Sequence, residues 1–386
     1  MIPGPIEVSD AVLAACAIRP PSHTSGDLIA AHGRALKRMR EVWLAAADSQ
    51  PFVVPGSGTL AMEMAATNLV APGDKALIVN SGFFGDRMAD ILTRRGAHVI
   101  QANAAIGDAP PLEVVAKLLA IGGFKALFAT HVDTSTGVRT DAEGLARLAR
   151  EHDVVAVIDG VCATAAERLE MEAWGVDVYL CASQKAIGLP PGLALMVASS
   201  RAMAAREKLA VPPPLAIDFH AWLPIMRAYE EGRPSYFSTP ATTLVAGLDV
   251  ALGELLATTH DGAEGMEARF RLHERAASAM RAAFSAMELE LFCQPSLAAN
   301  TLSAIRFPDG VDPSLVGRVK ERGVIVAGGL HPKARTEYFR VGHMGEVTRR
   351  PELLLRTVDA VANALNDGGR KTDVRAAHAA AAAILA

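Results

Sequence analysis

The sequence predicts an α/β fold: a large domain with a mostly parallel sheet flanked by helices, followed by a smaller α/β domain. Three observations carry this. Short apolar runs alternate with helical stretches from residue 75 to 199, the pattern of successive crossover units. The runs are continuously apolar, which means burial on both faces. After about residue 210 the pattern gives way to long helical stretches and a few short strands.

KALIVN (75–80) reads as a strand and Gly85 to Arg95 as a helix. AHVIQA (97–102) is the next strand, and Pro111 to Ile121 a helix opened by proline. KALFAT (125–130) is followed by an acid-started helix, Asp141 to Glu151. DVVAVID (153–159), DVYLCAS (177–183) and LALMVAS (193–199) complete the strand series. VPPPLAID (211–218) is a proline-rich connection. Helices are expected over 241–258 and 262–287, then strands near 301–307, 324–327 and 337–341 with helices near 312–322 and 346–366. The alanine-rich end, AAHAAAAAIL (376–385), is expected to be helical or frayed.

The 386 residues are 51% hydrophobic, 21% charged and only 5% aromatic, so the core is built from aliphatic and small side chains. A formal net charge of −4 argues against nucleic acid as a partner, which needs clustered Lys and Arg. The four cysteines form no C-x-x-C pair and suit neither a zinc site nor a disulfide framework. No apolar stretch reaches the roughly 20 residues a membrane helix needs, and MIPGPIEVSD lacks the basic start of a signal peptide. No metal, no membrane and a reducing, cytoplasmic setting are the expectations.

In a parallel sheet, ligands bind beyond the carboxyl ends of the strands, and four places there carry chemistry. Gly56-Ser57-Gly58-Thr59 opens an apolar helix-forming run; free N–H groups at such a start cradle anions, though a plain glycine turn with a Ser or Thr cap reads the same way. Asp159 ends a strand of apolar residues, where a carboxylate needs a partner; a protonated ring nitrogen or a loop hydrogen bond would serve. Lys185 follows DVYLCAS and precedes a Gly/Pro loop; burial there would favour the neutral, nucleophilic amine, whereas a lysine taken at random is a surface residue. Arg340, in EYFRVGHMG (337–345), can grip a carboxylate bidentately or make a surface ion pair. His343 beside it reads as structural.

Together, in this order and spacing, these segments resemble the class V aminotransferases of pyridoxal-phosphate (PLP) fold type I, nearest the serine–glyoxylate and alanine–glyoxylate branch. PGP (3–5), GSGTLAME (56–63), HVDTSTGV (131–138), IDGVCA (158–163), MEAWGVDV (171–178), SQKAIGLPPGL (183–193) and FRVGHMG (339–345) carry the resemblance over nearly the whole chain. It implies an N-terminal arm (1–21), a large PLP-binding domain (22–258) and a small C-terminal domain (259–386). It implies that Lys185 holds PLP and is the catalytic residue, and that Asp159 pairs with the pyridine nitrogen. Ser57, Gly58 and Thr59 would take the phosphate with Gln184 assisting, Phe84 would stack on the ring, and Thr134 would meet its polar edge. Tyr236 and Thr239, in SYFSTP (235–240), would reach a phosphate across a homodimer interface. Pro5 and Arg340 would contact substrate. Phe84 stands where the family often has Trp, Thr59 where some members have His, and Asp133 where many have Glu.

The reaction so implied moves an amino group from serine or alanine to a 2-oxo acid, glyoxylate by analogy, in ping-pong fashion. A PLP lyase of the cysteine-desulfurase kind is the competing enzyme. Cys162, three residues after the strand-end Asp159, and Cys181, inside a strand, are poorly placed for that role, which leaves Cys293. A non-catalytic PLP-fold binding protein is the third reading.

Overall fold

The computed structural model describes residues 1–386. Seven strands form the central sheet: β1 (Gln50–Pro55), β2 (Lys75–Asn80), β3 (His98–Asn103), β4 (Phe124–Thr130), β5 (Val155–Asp159), β6 (Val178–Ala182) and β7 (Leu193–Ala198), in spatial order β1-β7-β6-β5-β4-β2-β3. Every pairing from β6 to β3 is parallel; β7 alone runs against its neighbours. The β-branched and aliphatic runs of β5, β6 and β7 are buried throughout, as continuous apolar strands covered on both faces must be.

Each strand anticipated between residues 75 and 199 is present within a residue or two. The helix expected from Gly85 begins at Phe83. Several elements lie outside the sequence expectation, among them β1, the helices Asp10–Cys16, Gly26–Val42 and Ser200–Glu207, and the helix Phe219–Glu230, which carries Pro224 in its interior.

The two largest cores follow from the layers. The larger packs the central sheet against its helices, and the smaller surrounds a three-stranded sheet of β8 (Leu302–Arg306), β9 (Ala327–Gly328) and β10 (Tyr338–Gly342), with β10 in the middle. The helix Gly265–Ala286 joins them: Met266 and Phe270 belong to the first core, Met280 and Phe284 to the second. The strand expected at 324–327 is confined to Ala327–Gly328. Arg340, expected at a strand end, lies mid-strand opposite both Ala304 and Ala327. The alanine-rich C-terminus is an ordered helix, Val374–Leu385, capped by Asp373 and burying Ala377, Ala381 and Leu385 at a spacing of four.

Candidate active site

The parallel strands deliver their carboxyl ends to one edge, and the site is built there. Gly160, directly after β5, lies against Tyr179: a Cβ would stand 1.8 Å from the phenol ring. Only glycine lets the chain turn so closely there, and the turn sets the direction of Asp159 just before it.

Asp159 is 4% exposed. Its Oδ1 accepts the N–H of Val161 at 2.9 Å; no group in the chain bonds Oδ2. Burial, reinforced by the nearby Asp133 charge and opposed by the Val161 N–H, Lys185 and Arg87, raises its carboxyl to about 7. A buried carboxylate with one free oxygen is stabilised when a cation or an N–H donor arrives. Lys185, one strand over, is 7% exposed, and burial holds its ammonium below the ordinary lysine range. Asp159 opposes that shift and Arg340 adds to it. The shift is in the direction that favours the neutral, nucleophilic amine.

The turn before helix Gly58–Leu69 faces the same space. Ser57 is the N-cap, but its hydroxyl makes no capping bond, so it is free for another partner, unlike the simple cap considered from the sequence. A Cβ on Gly58 would meet Val161 at 3.1 Å and Ala182 at 3.3 Å, which presses this helix start against the ends of β5 and β6.

Phe84 is held by a device that the sequence did not disclose. Its helix begins after Gly82, which has no side chain to cap it. Asp133 supplies the cap from the end of a neighbouring strand: its carboxylate accepts from the N–H of Phe84 at 2.9 Å and from the N–H of Ser135 at 2.8 Å. Phe83 N–H donates to the Ser135 hydroxyl. A Cβ on Gly82 would stand 2.6 Å from the Asp133 carboxyl carbon, so glycine and aspartate occupy this corner as a pair. Burial pushes the Asp133 carboxyl up, opposed by these donors.

Arg340 is 8% exposed; its Nε donates to the Gly328 carbonyl at 2.9 Å and Nη1 to the Thr134 carbonyl at 3.0 Å. Nη2 has no partner in the chain. The N-terminal segment straps the site. Gly342 N–H donates to the Met1 carbonyl, Lys185 Nζ to the Pro3 carbonyl, and Ile6 N–H to the Gln184 carbonyl. Gly4 has a φ of +105°, and a Cβ there would stand 2.7 Å from the Lys185 chain.

One cavity of about 300 Å³ gathers Pro5, Ser57, Gly58 and Thr59 with Phe84, Thr134, Asp159, Gln184 and Lys185. Arg340 stands just behind it, bonded to Thr134. Tyr236 and Thr239 are exposed and do not line the cavity of their own chain; the Tyr236 ring lies against His23. Among the lining residues that were not anticipated, two carry reactive or charged groups. Arg87 sits one helical turn past Phe84, a spacing of three that could have been read from FFGDR. Cys162, expected to be badly placed, also lines the cavity, because the turn after Asp159 folds inward; its Sγ is 3.7 Å from the Thr301 hydroxyl. Cys293 lines a different cavity, and burial pushes its thiol up to about 11, which disfavours the thiolate that a nucleophile needs. His343 is buried between the Ser303 hydroxyl and the Asn300 carbonyl, a structural role.

Residues 13–346 match the family model of aminotransferase class-V. The chain belongs to the class V aminotransferases. It is 37% identical to alanine–glyoxylate aminotransferase 1 of Saccharomyces cerevisiae over 89% of its own length and 91% of that protein. It is 32% identical to serine–glyoxylate aminotransferase of Hyphomicrobium methylovorum over 77% of its length and 73% of the relative's. Its structure superposes on the crystal structure of alanine–glyoxylate aminotransferase from Nostoc sp. with a TM-score of 0.87 and 28% identity, covering 95% of this chain and 94% of the other. As a class V aminotransferase it has the fold of type I PLP enzymes and is a PLP-dependent transaminase.

Proposed function

We propose that this class V aminotransferase carries PLP on Lys185 and moves an amino group from a small amino acid, serine or alanine, to glyoxylate in a ping-pong cycle. The observation that carries the reading is the pairing of Lys185 and Asp159 across one cavity: an amine biased towards its neutral form, and a buried carboxylate with one oxygen left without a partner. That free oxygen fits a protonated pyridine nitrogen, and the unused Ser57 hydroxyl at a helix start fits a phosphate. The names of the relatives support glyoxylate as acceptor and a small donor.

When bound, the cofactor supplies an electron sink for the pair released at the donor's Cα. Asp159 would hold the proton on the ring nitrogen that makes the sink effective. Phe84, fixed by the Asp133 cap, would cover the ring face, Thr134 would meet its polar edge, and Gln184 would assist at the phosphate. Lys185, once displaced by the donor's amine, would take the Cα proton and return it on the other side of the transfer as general base and acid. Arg340 would orient the donor carboxylate with its free Nη2 edge, while Nε and one Nη1 hydrogen hold the Gly328 and Thr134 carbonyls. The strap that carries Pro5 would shut water from this side.

The domain division at 21/22 and 258/259, a homodimer in which the partner subunit's Tyr236 and Thr239 complete the phosphate site, and a cytoplasmic location belong to the same proposal. Two separate cores, the exposure of Tyr236 and four unpaired cysteines support them. No helix is long and apolar enough to cross a membrane.

Lys185→Ala tests the reading. It should abolish the visible absorbance of the covalently held cofactor and bring transfer from serine or alanine to glyoxylate down to background. A Lys185→Ala protein that still transfers at the wild-type rate refutes the assignment.

A further inference from the structure

Arg87 is a cation in the cavity that makes no direct ion pair. Its neighbours on the helix are engaged elsewhere: Asp86 accepts from Asn80, and Asp90 pairs with Arg94. No carboxylate lies within ion-pair distance of Arg87 itself. Its guanidinium stands 4.9 Å from the Phe83 ring centroid and 5.0 Å from that of Phe84, which fixes its position by cation–π attraction. From there Nη1 donates to the Thr59 hydroxyl at 3.1 Å. A hydroxyl that accepts from an arginine is left with its own hydrogen to donate, and Thr59 belongs to the turn whose Ser57 hydroxyl is also free.

The charge balance points the same way. A phosphate monoester near neutral pH carries a charge of roughly −1.5 to −2. The two cationic side chains that line the cavity are Arg87 and Lys185, and Lys185 is committed to holding the cofactor's carbonyl carbon. The helix N-terminus offers only about half a positive charge.

We propose that Arg87 is the counter-ion of the cofactor phosphate, acting as one unit with the Thr59 hydroxyl it holds. This rests on the reading that Lys185 and the Ser57–Thr59 turn bind PLP. The proposal makes Arg87 a cofactor-binding residue, and it gives the Thr59 position, where other members have histidine, a defined partner: the charge near the turn comes from the neighbouring helix.

The test is uptake of cofactor by the resolved full-length protein, followed by absorbance rather than turnover. PLP is compared with pyridoxal, which has the same aldehyde and ring but no phosphate. Arg87→Met should weaken PLP binding roughly 10- to 100-fold, the range for a lost charge-assisted contact, and leave pyridoxal binding unchanged. Arg87→Lys should recover part of the loss. Thr59→Val, which removes only the hydroxyl, should weaken PLP several-fold, and the double variant should be no worse than Arg87→Met alone. Inorganic phosphate should compete with PLP in the wild type and far less in Arg87→Met. Equal weakening of PLP and pyridoxal, or undiminished PLP binding by Arg87→Met, overturns the proposal. A wild-type chain that takes up neither aldehyde overturns the cofactor assignment beneath it, and the two failures are thereby told apart.

Discussion

Asp159→Asn should make the cofactor-free protein more stable while disabling the enzyme. The carboxyl has an ordinary value of 3.8 and is raised to about 7 in the folded chain, chiefly by burial. Between those two values the unfolded chain gives up this proton and the folded chain keeps it. Stability is therefore full below pH ~4, falls as the pH rises towards 7, and stays reduced above. At about 1.4 kcal/mol for each tenfold change in proton affinity, the whole loss is roughly 4 kcal/mol, an upper figure because the site can relax or admit water. Asparagine keeps the shape and the bond from Val161 and carries no charge to bury. Thermal or urea unfolding of the resolved apoprotein, wild type against Asp159→Asn, should differ by only about 1 kcal/mol near pH 4.5. A gap of a few kcal/mol in favour of the variant should open by pH 8. PLP should close that gap by stabilising the wild type far more than the variant, and transfer activity should fall by orders of magnitude. Parallel pH profiles of stability for the two apoproteins would refute the claim that the carboxylate is held in an unfavourable state for its partner.

Two other outcomes follow from the placement of the remaining residues. Arg340→Gln should raise KM for amino donors about 10- to 100-fold with PLP uptake nearly unchanged; equal losses in both would assign Arg340 to holding Thr134 alone. If the phosphate site is completed across a dimer, Lys185→Ala and Tyr236→Ala proteins, each impaired, should regain partial activity when unfolded together and refolded, since one site of the mixed dimer is intact; no recovery despite demonstrated subunit exchange would confine Tyr236 to its own chain.

The parts of the fold legible in the sequence were those with a single dominant signal. β5, β6 and β7 announce themselves because a buried central strand is a continuous β-branched run with no competing pattern. β1 did not, because Pro51 and Pro55 bracket its apolar centre and read as loop; its antiparallel pairing at the sheet edge tolerates them. Helix Phe219–Glu230 was masked by Pro224, which ordinarily ends a helix. Helix Gly26–Val42 was open to view: Ser25 precedes it, and Leu28, Leu36, Met39 and Val42 recur on one face.

The site divides along a related line. Ser57, Asp159 and Lys185 could be placed because a parallel sheet says where its strand ends go, so motif order along the chain translates into proximity. Contacts that depend on how an inserted turn packs do not translate. Asp133 is the clear case. From the sequence it is a shorter carboxylate where many members of the resembled family have Glu, which leaves the cofactor contact open. In the structure it is spent on the N–H groups of Phe84 and Ser135, and Gly82 leaves it just the room it needs. The two departures at 84 and 133 are thus physically linked: the aspartate fixes the start of the helix, the helix fixes the phenylalanine, and the next turn of the same helix brings Arg87 to Thr59, the third departure. A change that looks like loss at each position taken singly becomes one arrangement of cap, ring and cation, and its parts should be exchanged together when Trp is placed at 84 or His at 59.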